Sequence, residues 1–179
     1  TKRGDIGKPV LSFTYNHGFV KPTRLPNMAD SPTYALTQNE IAYYNNPVGG
    51  FYQAYSDEDI QKFRDGSDPL NYANTNWLDE VVSPVSQQNQ ISLSLNGGTE
   101  KAQYFVSLGR RKQEGIYKNG ALDFEQWNLR SNVDVNITDH FKIGLDLAAR
   151  QENVTYPVEG ASSIFRFTYR AYPTEPAYY

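Results

Sequence analysis

The stretch WNLRSNVDVNI, from Trp127 to Ile137, alternates apolar and polar residues along its whole length. Its odd-numbered positions are apolar except for Ser131, and every even-numbered position is polar. Successive side chains of a β-strand point to opposite faces, so this pattern predicts a strand with one apolar and one polar face. The apolar face must lie against either a protein core or lipid.

The same alternation recurs in four other segments, which are Val10–His17, Ile91–Asn96, Ala102–Gly109 and Phe141–Arg150. We therefore predict five strands in an all-β fold. Tight polar turns, Gly97–Lys101 and Thr138–His140, alternate with longer connections. Short turns at one end of the strands and long loops at the other are typical of outer-membrane barrels. On this interpretation the odd-numbered strands run outward.

The longest connection, between the first two strands, contains helix signals. Asp30 followed by Pro32 predicts a helix start, and Ser56 with Asp59 fits a capping box. Gly66 is placed to end that second helix. A further helical stretch, Ser162–Tyr172, follows the fifth strand. We expect both helical inserts to be extracellular.

Strand length helps to distinguish a core from lipid. A soluble antiparallel sheet shows the same alternation, but soluble strands average about 5–6 residues, whereas membrane strands need about 9–11. The fourth and fifth strands can extend over Phe124–Ile137 and His140–Glu152. The pattern therefore favours lipid, although it leaves the soluble alternative open.

Composition and motifs give little support to several other functions. The net charge is −3 with no basic block, which disfavours nucleic-acid binding. There is no Cys, and His17 and His140 are far apart, so no metal-ligand spacing occurs. Asp65, Gly66 and Asp68 lack the spacing of a calcium loop. Since no catalytic or cofactor motif is found either, we predict a non-enzyme with no cofactor or metal.

Several segments resemble the SusC/RagA type of TonB-dependent transporters. They are TKRG with GKPVLSFTYNHG, Gly66–Val81, Leu93–Gly109, Gln113–Gly120 and Asn128–Thr138. The resemblance covers nearly the whole chain, in order, and NGG where the family often has SGG is among its few departures. It implies a transmembrane, plugged barrel of about 22 strands, to which this chain contributes five. We expect the chain to be part of a longer protein.

The resemblance also implies a domain organisation. Residues 1–7 would be the end of the plug and its junction with the barrel. Residues 8–179 would be the N-terminal part of the barrel, with a long extracellular helical insert over 18–88 and the start of a second over 155–179.

The function implied is energy-coupled import of a bulky nutrient across the bacterial outer membrane. TonB–ExbB–ExbD would supply the energy, and a SusD-like surface lipoprotein would cap the barrel. An oligosaccharide is the expected cargo, with an oligopeptide next. The alternative from a different class is a soluble β-rich binding module of a nutrient-uptake system, with no transport role.

Two groups of residues follow as site candidates. On the lipid interpretation, the polar faces of the fourth and fifth strands look into the lumen, where side chains pair with the plug or contact solute; they are Arg130, Asn132, Asp134, Asp146 and Arg150. Aromatic rings of the first insert stack on sugars or pack the insert itself. The candidates for contact with cargo or lid are Tyr52, Tyr55, Tyr72 and Trp77.

Overall fold

A computed structural model describes residues 3–178. Five antiparallel strands form one sheet in which each strand pairs with its neighbour in sequence. Their bounds are β1 (Gly7–Val20), β2 (Ser86–Gly98), β3 (Ala102–Glu114), β4 (Asp123–Thr138) and β5 (Phe141–Thr155). The shortest strands have 13 residues and the longest has 16. The prediction of five strands of membrane-spanning length is confirmed.

The register aligns the apolar residues of all five strands on one face. Leu11 lies opposite Leu95, and the same row continues through Val106, Ser131 and Leu147. This face has no core beneath it: Leu11 is 67% exposed, Phe13 66% and Leu147 53%. We call this surface, formed by the odd-numbered residues of β4 and their cross-strand partners, the apolar face; the opposite surface is the polar face.

The connections between strands differ in length, as predicted. Turns of residues 99–101 and 139–140 join β2 to β3 and β4 to β5. Residues 115–122 join β3 to β4 through a short 3-10 helix, Lys118–Gly120. Asn119 and Gly120 have φ values of 62° and 66° there, so the chain reverses through two left-handed residues.

The remaining residues form a second compact unit made from two connections, Thr23–Pro84 and residues 158–178. It contains α1 (Ser31–Asn45), α2 (Asp57–Asp65), α3 (Trp77–Val81) and α4 (Ala161–Arg170). No described helix is long and apolar enough to cross a membrane.

The helix starts lie where the sequence placed them. Asp30 accepts a hydrogen bond from the Thr33 backbone, and Ser56 forms the capping box with Asp59. Gly66 ends α2 at a φ of 64°, in the left-handed region. The fourth helix ends at Arg170, two residues before the predicted end at Tyr172.

The core of this unit is small and built around α1 and α2. Ala35, Ile60 and Phe63 are buried together, with Tyr55 and Tyr72 packed against them. The two connections are joined by hydrogen bonds: Trp77 Nε1 donates to the carbonyl oxygen of Tyr172 at 2.9 Å. The backbone nitrogen of Thr75 donates to the carbonyl oxygen of Pro173 at 2.9 Å.

Candidate functional site

The five lumen candidates of β4 and β5 all lie on the polar face. Asn132 pairs with Asp146 in the register. Arg130 lies one row further along the strands, opposite Ala148, and Arg150 lies two rows further, opposite Asn128. Asp134 lies one row in the other direction, opposite Gly144. Among these five residues the carboxylates lie toward the 139–140 turn and the arginines toward the far end, with Lys142 beside Asp134 and Glu152 beside Arg150.

A short N-terminal segment, residues 3–5, crosses the carboxylate end of this face. Arg3 forms an ion pair with Asp134 and lies 3.5 Å from the Asp146 carboxylate. The hydrogen bond to Asp134 and the two negative charges raise the pKa of Arg3, which keeps the guanidinium charged.

The next residues of the segment contact β3 and β2 in turn. A Cβ on Gly4 would lie 2.6 Å from the carbonyl oxygen of Tyr104, so only glycine fits this approach. The Asp5 backbone nitrogen donates to Asn96 Oδ1 at 3.0 Å, and Asn96 Nδ2 donates to Asp5 Oδ2 at 2.7 Å. The segment thus runs across four strands before entering β1 at Gly7.

Burial on the polar face is concentrated around this crossing. Asn132 is 3% exposed, Asp134 7% and Phe105 6%, although they belong to a sheet that is otherwise largely exposed. A buried carboxylate is stable only when it is paired, and Arg3 supplies the partner, with Lys142 at 4.0 Å. Residues 3–5 therefore act as a clamp on the polar face.

The other end of the polar face holds a depression of about 680 Å³. Ser92, Ser94 and Ser107 contribute its small side chains. Four arginines line it: Arg111, Arg130 and Arg150 belong to the polar face, and Arg110 belongs to the apolar face. Arg150 is paired with Glu152, and Arg111 donates to Gln113 at 3.1 Å. Arg130 has no ion-pair partner among the described residues.

Two of these polar-face residues were missed from the sequence alone. Arg111 lies opposite Gln126 in the β3–β4 register. Because Gln126 is an even number of positions from Arg130, Arg111 lies on the same face of the sheet as Arg130. Arg3 lies outside any alternating segment, so no pattern identified it.

Four charged residues of the apolar face lie at its end near the 115–122 connection, where Arg110 shares a row with Trp127 and Ile91. Arg110 binds Glu125 at 2.6 Å and lies 5.3 Å from the centre of the Trp127 ring. Lys112 lies 3.9 Å from Asp123. These paired charges and the Trp127 ring form one border of the apolar band, as expected where strands leave the hydrocarbon region.

The four insert aromatics have different surroundings. Tyr55 and Tyr72 pack on the core of the helical unit, and the Tyr72 hydroxyl donates to Asp59 at 2.8 Å. That hydrogen bond raises the pKa of Tyr72. Trp77 joins the two connections through its ring nitrogen. Only Tyr52 leaves most of its ring free, at 54% exposure.

No group of residues suited to holding a metal ion occurs among residues 3–178. The hydrogen bonds and ion pairs of residues 3–5 described above join this segment to the polar face.

Comparison with known proteins places these features in context. No family model matches the sequence. TonB-dependent receptor P3 of Formosa agariphila is 30% identical over 147 residues, which cover 82% of this chain and 12% of that protein. TonB-dependent receptor P26 of the same organism is 35% identical over 78 residues, covering 44% of this chain and 8% of that protein. The chain thus spans about an eighth or less of the relatives it matches.

Solved structures support the fold. The RagAB peptide transporter matches with a TM-score of 0.61 over 87% of this chain and 19% of the other chain, at 20% identity. The RagAB peptide importer in its 'open-open' state matches with a TM-score of 0.59, at 18% identity. The similarity covers both the strands and much of the rest of the chain.

Proposed function

This chain corresponds to one part of a SusC/RagA-type TonB-dependent receptor of the bacterial outer membrane, and we propose that the complete receptor imports a bulky oligomeric nutrient. In this proposal the five strands form part of the barrel wall. The apolar face contacts lipid and the polar face contacts the lumen and the plug.

The observation that carries the proposal is the exposed apolar face. On β4 the apolar band runs from Trp127 to Ile137, about ten residue steps, or roughly 33 Å of strand. Strands tilted by about 40° turn that length into a band about 25 Å tall, the height of the lipid-facing band of outer-membrane barrels. A soluble binding module would leave this whole surface in water, which disfavours that alternative.

The N-terminal clamp supports the proposed domain organisation. Residues 1–7 would end the plug, and residues 8–179 would belong to the barrel and its inserts. A segment that leaves a plug inside a barrel has to cross the lumen-facing wall before it enters the first strand. The path of Arg3, Gly4 and Asp5 over β4, β3 and β2 fits that requirement.

The helical unit would lie on the cell surface. It is built from the connections after β1 and β5, which leave the same end of the sheet, opposite the two short turns. In the proposal the insert spans 18–88, with a second starting at 155, and its surface meets cargo or a SusD-like lipoprotein lid. Tyr52, the exposed ring, is the best placed of the four aromatics for such contact.

Energy coupling follows from the plug. A barrel that is filled by a plug cannot pass a bulky solute passively, so TonB–ExbB–ExbD would be needed to displace it. The cargo we propose is an oligosaccharide. An oligopeptide is the second candidate, because the structurally similar proteins are a peptide transporter and a peptide importer.

Deletion of TonB or of a neighbouring SusD-like lipoprotein in the source bacterium tests this function. Either deletion should abolish or sharply reduce growth on the cognate oligomer. Growth on the corresponding monomer should persist, because small solutes cross through porins, and it is the control. Undiminished oligomer uptake without TonB would contradict the proposal, and a receptor that stays soluble and monodisperse without detergent would favour the soluble module.

A further inference from the structure

Charges are distributed unevenly along the strands of the polar face, although Lys142 lies near Asp134 and Glu152 pairs with Arg150. The carboxylates Asp134 and Asp146 are held by Arg3 at one end. Toward the other end, Arg111, Arg130 and Arg150 line the 680 Å³ depression together. The protein's own N-terminal segment therefore uses the acidic end of the face and leaves the basic end open.

The three arginines lie close enough to act on one ligand. Arg150 is opposite Asn128, two positions from Arg130, so these arginines are diagonal cross-strand neighbours. Such neighbours have Cα atoms about 7–8 Å apart, within reach of long side chains. Arg111 enters from β3 and also lines a second depression of about 300 Å³, whose other lining residues belong to β1 and β2.

The charge of this surface is not balanced by the described residues. Glu152 neutralises Arg150, and Arg111 is bonded to the neutral amide of Gln113. Arg130 has no carboxylate partner in the part of the chain that the structure describes. Two positive charges are thus in excess on one wall, and like charges that face the same space repel, so an anion that binds between them is favoured.

The lining also indicates what kind of molecule carries the anion. Hydroxyl and amide groups from Ser92, Ser107, Asn128 and Gln126 line the depression. The polar face contributes no large apolar side chain there, which suits a ligand that is polar over its whole surface. Guanidinium groups bind carboxylate and sulfate oxygens through paired N–H donors.

We propose that the depression lined by Arg111, Arg130 and Arg150 binds an oligosaccharide bearing carboxylate or sulfate groups. This inference rests on the proposed import function and adds the charge of its cargo. The acidic end of the face anchors the N-terminal segment, while the basic end attracts the cargo as it enters from the cell surface.

The test uses the complete receptor purified in detergent and fluorescently labelled probes at low salt. The probes are hexagalacturonate for carboxylate, a heparin-derived hexasaccharide for sulfate, and maltohexaose as the neutral control. Wild type should bind at least one anionic probe at least tenfold more tightly than maltohexaose, and that preference should weaken as salt is added. The tighter of the two anionic probes identifies the charged group.

Substitutions locate the binding. Arg130→Gln and Arg150→Gln should each weaken binding of the anionic probe about tenfold, since each removes a charged hydrogen-bond donor. Arg130→Lys should have an intermediate effect, because it keeps the charge and loses the paired donors. Arg110→Gln is the control: Arg110 borders the same depression on β3, but its side chain pairs with Glu125 on the apolar face.

Several results would overturn the inference. One is that maltohexaose binds as tightly as the anionic sugars. Another is that a pentaglutamate peptide binds more tightly than either anionic sugar. A third is that Arg110→Gln weakens binding of the anionic probe as much as Arg130→Gln does. A lower unfolding temperature in Arg130→Gln with unchanged probe affinity would mean that carboxylates elsewhere in the receptor occupy the site. If TonB-dependent growth on a neutral oligomer is unchanged in Arg130→Gln and in Arg150→Gln, the import function stands and only this inference fails.

Discussion

Arg3 and Asp134 form an ion pair although 131 positions separate them in the sequence. The pair joins the N-terminal segment to the middle of the sheet at the one place where the polar face buries a carboxylate. Among the described residues, the loss of Arg3 leaves Asp134 with only Lys142, at 4.0 Å, and the loss of Asp134 leaves Arg3 with only Asp146, at 3.5 Å, so each loss weakens the pairing of a charge.

Arg3→Gln and Asp134→Asn should each lower the unfolding temperature of the complete receptor, and the double variant should lose less than the sum of the two. The non-additivity measures the coupling of the pair. Thermal unfolding in detergent provides the data. Full additivity would mean that the two residues act independently.

Gly4→Ala should displace the N-terminal segment, because the new Cβ would lie 2.6 Å from the carbonyl oxygen of Tyr104. The matched control is Gly109→Ala in β3, whose Cβ would meet its nearest neighbour at 3.9 Å. Gly4→Ala should therefore lower the unfolding temperature, and Gly109→Ala should not. Limited proteolysis near residue 4 should also rise only in Gly4→Ala. Equal behaviour of the two variants would remove the steric argument for the clamp.

Leu129→Arg should cost about 2–4 kcal/mol of folding free energy in lipid, because it places a charge on the lipid-facing band. Asn128→Arg puts the same charge on the polar face one residue away and should cost far less. A buried polar-face residue such as Asn132, which is 3% exposed, could not serve as this control, because an arginine there would also disturb packing. Folding titrations into lipid vesicles compare the two variants, and a reversed order would place lipid on the other face.

Single cysteines test which ends of the strands face the cell exterior, because this chain has no native Cys. Cysteines at Lys118 and Glu58 should react with a membrane-impermeant thiol reagent on intact cells. Cysteines at Glu100 and Asp139 should react only after the outer membrane is opened. Lys118 avoids the left-handed Asn119 and Gly120, where cysteine would be strained. Surface labelling at Asp139 would reverse the orientation.

The capping box of α2 predicts an acid-sensitive helical unit. Hydrogen bonds from Ser56, followed by that from Tyr72, hold the pKa of Asp59 below its ordinary value. A carboxyl group whose pKa is lowered by folding stabilises the fold above its unfolded pKa, and this contribution is lost as the pH falls through the lowered value. Asp59→Asn should thus lower the unfolding temperature of the helical unit at pH 7. The difference from wild type should shrink below about pH 4. A constant difference across this range would exclude the titration of Asp59 as its cause.

The strands and helix ends could be predicted from the sequence because their determinants are local. The alternation from Trp127 to Ile137 reflects the pleat of a single strand, and the hydrogen bonds of Asp30, Ser56 and Gly66 involve residues within four positions of each cap. The polar-face positions of Arg130, Asn132 and Asp146 also followed from spacing alone. In the structure β1 is longer at both ends than the alternating segment Val10–His17, because its pairing with β2 continues beyond these residues.

The surroundings of the candidate side chains depend on contacts that no local pattern encodes. From the sequence, Tyr55 and Tyr72 could either contact cargo or pack the insert, and the tertiary structure packs them against the cluster that contains Ile60 and Phe63. Arg111 reaches the polar face beside Arg130 through the β3–β4 register, which places it opposite Gln126.

The sequence by itself determined the strands, their two chemically distinct faces and the helix caps, since each depends on the spacing of near neighbours. Only the tertiary structure decided that Arg3 crosses the sheet to Asp134, and that the connections after β1 and β5 join through Trp77 and Tyr172. The physical reason is that such contacts bring together residues far apart in the chain. Their partners are selected by register, chain path and shape, and these exist only after the strands have paired.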